Sequence, residues 1–115
     1  MSSYTIWHNP RCSKSRQAMG ILEEKGVEPE VVKYLEETPS VDVLKDILEK
    51  LNISARELMR TKEADYKALG LKDETDENKL IEAMASHPKL IERPIVIKGN
   101  KAVLGRPPEK VLELF

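Results

Sequence analysis

The sequence predicts an α/β domain with a mixed four-stranded sheet. Three patterns predict it: a strand–helix–strand pattern at the start, a middle section with helical periodicity, and a strand–turn–strand–helix pattern at the end. The two strands of a βαβ unit run parallel, whereas two strands joined by a short turn run antiparallel. The 115 residues suffice for one domain with one core.

The βαβ unit is predicted at the start of the chain. A β-branched and aromatic run extends from Ser3 to Trp7, with Tyr4–Trp7 as the strand. A helix follows from Ser13, and Gly26 provides its carboxyl-terminal stop. The next apolar run predicts a parallel strand over Glu30–Leu35.

A helical insertion is predicted at about residues 40–88. Ser40 is the expected N-cap of a helix whose apolar residues recur at helical spacing. Residues 54–57 match a capping box and open a short helix. A longer helix begins after Asp76 and ends before His87-Pro88, because the residue before a proline avoids helical angles.

A hairpin and a terminal helix are predicted after the insertion. The runs Ile95–Lys98 and Ala102–Leu104 flank Gly99-Asn100, which is a strong hairpin signal. Pro107-Pro108 can start a helix. The apolar side chains expected to pack down from that helix are Val111, Leu112 and Phe115.

The order βαβ, helical insertion, ββα is that of a thioredoxin-like (glutaredoxin-like) domain. We therefore expect residues 1–115 to form a single domain of this fold. In such a sheet the loop after the first strand carries the reactive cysteine, and the segment just before the third strand reaches the same edge.

The composition excludes several classes of protein. Net charge is −1, so no global electrostatic drive favours nucleic acid or an anionic membrane. The sequence contains no apolar run of membrane-spanning length, and we expect no signal peptide because its amino-terminal residues lack the apolar stretch of one. One cysteine cannot form an intramolecular disulfide, and two histidines without ligand spacing give no support for a metal. We expect a cytoplasmic monomer with no bound cofactor.

The stretch His8–Arg16 is the strongest candidate for chemistry. It contains the only cysteine of the chain, Cys12, between a predicted strand and a predicted helix. The first amides of a helix and its dipole lower the pKa of a thiol there, and basic neighbours act in the same direction. We interpret Cys12 as a nucleophilic thiolate in an anion-attracting loop. The alternative is a buried, inert cysteine, which the polar and basic neighbours disfavour.

Three arginines are candidate ligands for an oxyanion. They are Arg60 at the end of a short helix, Arg93 before Pro94, and Arg106 after Gly105. The planar guanidinium fork suits tetrahedral oxyanions. Each arginine taken alone is more typical of a solvated surface than of a binding site. Arg93 enters the third strand at the edge of the Cys12 loop, so it is expected near the thiol.

Two further residues could influence the thiolate, and one proline could shape the site. His8 could supply charge or a hydrogen bond, or it could face solvent. Ser15 lies one turn along the helix and could donate its hydroxyl to the sulfur. The thioredoxin-like fold predicts that Pro94 is a cis proline opposite the Cys12 loop.

The spacing around Cys12 excludes two kinds of chemistry. Cys12–Ser15 is C-x-x-S, so a self-contained dithiol cycle is impossible. A phosphatase loop of the C-x5-R type requires an arginine at position 18, which is Ala18. An oxidised or adducted Cys12 therefore has to be resolved by an outside thiol.

The chain resembles the ArsC family of glutaredoxin-coupled arsenate reductases, and the resemblance covers essentially the whole sequence. Several separated motifs in the same order carry it. The matching stretches are Ile6–Arg16, Tyr34–Glu36 with Pro39-Ser40, Leu58–Arg60, Leu69–Leu71, His87-Pro88, Arg93–Val96 and Gly105–Pro107.

This resemblance implies a thioredoxin-like fold and the reduction of arsenate to arsenite. Carried over by position, Cys12 is the nucleophile, and Arg60, Arg93 and Arg106 bind the oxyanion. His8 and Ser15 tune the thiolate. Glutathione is the implied co-substrate, and glutaredoxin reduces the resulting mixed disulfide.

Two other functions remain open from the sequence. One is a single-cysteine oxidoreductase that acts on glutathionylated substrates, which the C-x-x-S motif fits but which does not need three arginines. The other is a non-enzymatic regulator similar to the Spx proteins that bind RNA polymerase. The C-x-x-C switch of the best-known Spx proteins is missing here.

Overall fold

The chain forms a four-stranded sheet within residues 4–115, which are the residues that this computed structural model describes. The strands are β1 (Tyr4–Trp7), β2 (Glu30–Val32), β3 (Ile95–Lys98) and β4 (Lys101–Leu104). Their order is β2-β1-β3-β4, with β1 parallel to β2 and antiparallel to β3, and β3 antiparallel to β4. This is the predicted mixed sheet of a thioredoxin-like fold. Ser3, the predicted start of the first strand-like run, lies outside the described residues.

The described chain divides into two compact units. The sheet unit comprises the described residues up to Glu37 together with Arg93–Phe115, and the helical unit comprises Thr38–Glu92. The predicted insertion at 40–88 falls within the helical unit, while a single domain for the whole chain stays a prediction. The α-helices are α1 (Ser13–Glu24), α2 (Val41–Leu51), α3 (Ala55–Leu58), α4 (Ala64–Ala68) and α5 (Glu77–Ser86).

Short 3₁₀ helices complete the secondary structure. Leu71–Asp73 and Pro88–Leu90 belong to the helical unit, and Pro108–Leu114 belongs to the sheet unit. No helix within residues 4–115 combines the length and the apolar composition needed to cross a membrane.

The core of the sheet unit forms between one face of the sheet, α1 and the terminal 3₁₀ helix. Alternate residues of β1 point to the same face, and helix positions four apart share one side of α1, so both periods converge on one cluster. Its buried members are Tyr4, Ile6, Ala18, Leu22, Val96, Val111 and Leu114.

The predicted second strand is too long at its carboxyl end. Strand β2 ends at Val32, because the carbonyl oxygen of Lys33 accepts N–H bonds from Glu36 and Glu37 at 2.9 and 2.8 Å and the chain turns. Tyr34 is buried and stacks on Trp7 with ring centroids 6.5 Å apart. The apolar character of this stretch therefore reflects packing after the strand rather than continued pairing.

The predicted packing of the terminal helix is also partly wrong. Val111 is buried as predicted, but Leu112 is 43% exposed and Leu114 is buried instead. The segment is a 3₁₀ helix with three residues per turn, so positions 108, 111 and 114 share a face. Phe115 is half exposed, although its ring stacks on Tyr4 at 5.4 Å.

Side-chain caps fix where α2 and α3 of the helical unit begin. The Ser40 hydroxyl accepts the Val43 N–H at 3.3 Å, as the sequence predicted for the start of α2. Ser54 and Glu57 form the predicted capping box of α3. These bonds satisfy N–H groups that have no partner within the helix.

Arg56 is the main polar connection inside the helical unit. Its guanidinium donates to the Tyr66 hydroxyl, to the Leu71 carbonyl at 3.1 Å and to the Glu74 carbonyl. One side chain of α3 thus satisfies three acceptors in and beyond α4. Removing it leaves carbonyls in a partly buried region without their charged donor.

We expect Arg56→Met to lower the free energy of unfolding by about 2 kcal/mol, because hydrogen bonds from a charged donor are lost while the aliphatic stem remains. Urea denaturation measures the change. Lys72→Met is the matched control, since it removes a cation from an exposed position in the same unit. Equal destabilisation by the two variants would contradict a specific role for the Arg56 hydrogen bonds.

Candidate active site

The strand register brings distant parts of the sheet unit to one edge. Trp7 pairs with Val32 of β2 and with Ile95 of β3, and Ile95 pairs with Leu104 of β4. The segments that follow Trp7, Val32 and Leu104 therefore meet the segment that precedes Ile95. The residues gathered at this edge are His8, Lys33, Arg93, Pro94, Gly105 and Arg106.

The loop between β1 and α1 is closed by its own hydrogen bonds. The side-chain oxygen of Asn9 accepts the Arg11 N–H at 3.1 Å, and its carbonyl oxygen accepts the Cys12 N–H at 2.9 Å. Arg16 donates from its guanidinium to the Pro10 carbonyl at 2.9 Å. These bonds make a tight turn that delivers Cys12 to the N-cap position of α1.

The Cys12 thiol has a lowered pKa despite its partial burial. Burial, the largest single influence, raises the pKa of this thiol. The backbone N–H of Ser15, the charge of Arg93, the backbone N–H of Lys14 and a hydrogen bond from Arg93 all lower the pKa, and together they outweigh burial. Cys12 occupies the N-cap position of α1, where the first amides and the helix dipole stabilise negative charge. The arrangement therefore favours a thiolate.

Arg93 and Arg106 are held next to each other by the hairpin. Arg106 donates from Nη1 to the Arg93 carbonyl at 3.2 Å, and Gly105 donates its N–H to the Pro94 carbonyl at 2.8 Å. A Cβ on Gly105 would lie only 2.9 Å from the Pro94 ring, so this close approach requires glycine. The Arg93–Pro94 bond is cis, as the fold predicted.

His8 and Ser15 form a network of their own. The fully buried Ser15 hydroxyl lies 2.5 Å from His8 Nδ1 and accepts the Asn9 N–H at 3.0 Å. Burial first, and then the charges of Lys33 and Arg16, lower the pKa of His8, which favours a neutral ring. The Ser15 hydroxyl therefore contacts His8 and the Asn9 N–H, while the tuning of the thiolate by His8 and Ser15 stays a prediction. Ser15 acts on the sulfur through its backbone N–H.

Comparison with known proteins assigns the chain to a family. The sequence profile of the ArsC family matches residues 7–114. The chain belongs to the ArsC family. It is 57% identical over 111 residues to "Uncharacterized protein YfgD" of Escherichia coli K12, which covers 95% of this chain and 93% of that protein. It is 51% identical over 113 residues to an arsenate reductase of Neisseria meningitidis strain MC58, which covers 96% and 97%.

A solved structure agrees with this assignment to the ArsC family. An arsenate reductase from Vibrio cholerae superposes with a TM-score of 0.96 at 50% identity, and the match covers 99% of this chain and 98% of that one. The thioredoxin-like fold inferred from the strand order is the fold of this relative.

Arg60, the third arginine matched to the ArsC motifs, lies in the helical unit. Its backbone N–H donates to the Leu90 carbonyl at 2.7 Å. Its guanidinium pairs with Glu63 at 3.1 Å and with Glu92 at 3.5 Å. These contacts fix the side chain within its own unit, and its role as an oxyanion ligand stays a prediction.

Sequence reasoning missed the structural roles of Asn9 and Gly105 at the site. Asparagine before a turn is a known signal for side-chain to backbone bonding, so the role of Asn9 could have been found from the sequence. Gly105 is required by a contact between two segments eleven residues apart, and local patterns do not report such contacts. Within residues 4–115, no group of three His, Cys, Asp or Glu side chains is arranged to hold a metal.

Arg93→Met should raise the pKa of the Cys12 thiol, because the variant loses both a positive charge and a hydrogen bond to the sulfur. The rate of alkylation by iodoacetamide follows the thiolate fraction, so its pH midpoint should move upward and the rate at neutral pH should fall.

Arg11→Met is the matched control for this experiment. Arg11 is exposed and adjacent to Cys12 in sequence, but it is not among the groups that act on the thiol. An equal upward shift in both variants would show that overall positive charge, rather than the Arg93 contact, sets the pKa of Cys12.

Proposed function

We propose that this protein is an oxidoreductase that reduces arsenate to arsenite, with Cys12 as nucleophile, glutathione as co-substrate and glutaredoxin as the regenerating partner. The observation that carries the proposal is the contact between Cys12 and Arg93, in which an arginine suited to an oxyanion also stabilises the thiolate. Membership of the ArsC family and relatives named arsenate reductase support the choice of arsenate.

In the first step, the Cys12 thiolate attacks arsenic(V) and forms an S–As bond. One arsenate hydroxyl accepts a proton from solvent, its As–O bond breaks and it leaves as water, so arsenic stays in the +5 state. Arg93 and Arg106 stabilise negative charge on the remaining oxygens. The Arg106 guanidinium is anchored to the Arg93 carbonyl, so it is held close to the residue that stabilises the thiolate.

In the second step, glutathione attacks the adduct and provides the other reducing thiol. One S–S bond forms between Cys12 and glutathione, and the electron pair of the S–As bond stays on arsenic, which leaves as arsenite. The two thiols lose two electrons, and arsenic changes from the +5 to the +3 state. Because Cys12 is the only cysteine of the chain, an outside thiol has to complete this step.

The cycle ends when glutaredoxin takes glutathione from the Cys12 mixed disulfide and restores the thiolate. Reduced glutathione is maintained in the cytosol, so we propose that the protein acts there. We also propose that it acts as a monomer. Arg60 is proposed as a third oxyanion ligand on the basis of its motif. Its pairing with Glu63 and Glu92 means that an oxyanion would compete with carboxylates for it.

Arsenite production from arsenate, glutathione and glutaredoxin tests this proposal. Cys12→Ser should remove activity to background, because a serine hydroxyl is far less nucleophilic than a thiolate at neutral pH. Arg93→Met should lower kcat/KM for arsenate about 100-fold, since a charge-stabilising donor is lost. Omitting glutathione should stop arsenite release.

Arg11→Met serves again as the control and should leave kcat/KM within about twofold, since Arg11 is an exposed side chain. No arsenite from the wild-type protein with all components present would refute the proposal. Turnover of glutathionylated substrates that survives in Arg93→Met would instead support a general thiol oxidoreductase.

A further inference from the structure

Two exposed cations border the Cys12 loop but are not among the groups that lower the pKa of its thiol. Lys33 directly follows Val32, whose carbonyl accepts the His8 N–H at 2.9 Å, so Lys33 lies at the edge of the sheet where the loop begins. Arg16 lies one helical turn beyond Cys12, and its guanidinium is fixed to the loop through the Pro10 carbonyl. Both residues are exposed.

The charge on these two cations reaches the centre of the loop. After burial, Lys33 and Arg16 are the groups that lower the pKa of His8, so both lie within electrostatic reach of that ring. Arg93 donates a hydrogen bond to the sulfur, whereas Lys33 and Arg16 are not among the groups that act on it. They therefore form a second positive zone next to Cys12, separate from the guanidinium that contacts the thiolate.

We propose that Arg16 and Lys33 form the docking subsite for the carboxylates of the glutathione that attacks the Cys12 adduct. This inference rests on the proposed function in that glutathione is taken as the second thiol. Glutathione carries two carboxylates and one ammonium group, so it approaches with net negative charge. An arsenate adduct on Cys12 is also negative, and it occupies the arginines that bind it.

Cations outside the oxyanion site reduce this repulsion and hold the incoming thiol in position. Arg16 offers guanidinium N–H groups besides the one bonded to Pro10, and Lys33 offers an ammonium group on a flexible stem. The exposed carboxylates of Glu36 and Glu37 follow in the same turn as Lys33. Without Lys33, that turn would repel an anionic thiol.

The test uses a reaction that needs no arsenate. The Cys12 thiolate attacks one sulfur of glutathione disulfide, forms a mixed disulfide and releases one glutathione thiolate, so no other oxidant is needed. Rate constants are measured with glutathione disulfide and with the uncharged bis(2-hydroxyethyl) disulfide. Lys33→Ala and Arg16→Gln remove one charge each, and glutamine can still donate to the Pro10 carbonyl.

Each substitution should slow the reaction with glutathione disulfide about threefold or more at low ionic strength, because one nearby attractive charge is lost. The rate with the uncharged disulfide should stay within about twofold of wild type. Salt at 0.5 M should remove most of the difference between variant and wild type with glutathione disulfide, because it shortens the screening length to about 4 Å. Lys25→Ala is the matched control. Lys25 is exposed in the same unit but caps the opposite end of α1, about 20 Å from Cys12 along the helix.

Equal slowing with both disulfides, an unchanged rate with glutathione disulfide, or the same selective loss in Lys25→Ala would overturn the subsite. The result is separable from the arsenate assay. If the substitutions selectively slow the reaction with glutathione disulfide but the wild-type protein produces no arsenite, only the proposed function is refuted. If the wild-type protein produces arsenite but Lys33→Ala and Arg16→Gln leave the ratio of the two disulfide rates unchanged, only the subsite is refuted.

Discussion

The stabilisation of negative charge on a partly buried sulfur is the constraint on which the site depends. Burial opposes the thiolate, so fixed donors have to outweigh it, and the pKa of Cys12 falls because they do. The donors have two origins. The amides of Ser15 and Lys14 are aligned by the start of α1, whereas Arg93 comes from the entry to β3, about eighty residues later in the chain.

The packing of the sheet therefore sets the chemistry of the loop. The pairing of Trp7 with Ile95 places Arg93 beside the loop, and Ile95 and Val96 are fully buried, which fixes that register. A shift of one residue would turn every β3 side chain to the other face. The same register places Gly105 against Pro94, where the absence of a side chain lets the hairpin close tightly.

The sequence predicted features that depend on neighbours along the chain. The helix start at Ser40 is confirmed because its cap needs only residues of the following turn. Cys12 lies at the predicted strand-to-helix junction because the apolar patterns on either side of it define the strand and the helix locally. The errors have tertiary causes. An apolar residue at position 34 reflects the packing of Tyr34 on Trp7 and not a continuation of β2. Leu112 is exposed because the last segment follows a three-residue period.

The roles of His8 and Ser15 were beyond sequence reasoning, because hydrogen-bond direction decides them. Ser15 is fully buried and accepts the Asn9 N–H, so its single hydroxyl hydrogen is available for His8 Nδ1. That assignment requires a neutral ring with its proton on Nε2. A protonated His8 would donate to the same oxygen, and the hydroxyl hydrogen would then need another acceptor in a buried position. The charges of Lys33 and Arg16 disfavour that protonated state as well.

Neutral His8 thus anchors the Ser15 side chain, and Ser15 is the residue whose backbone N–H most strongly lowers the pKa of the sulfur. We expect His8 to act on the thiolate through the position of the first turn of α1 and not through its own charge.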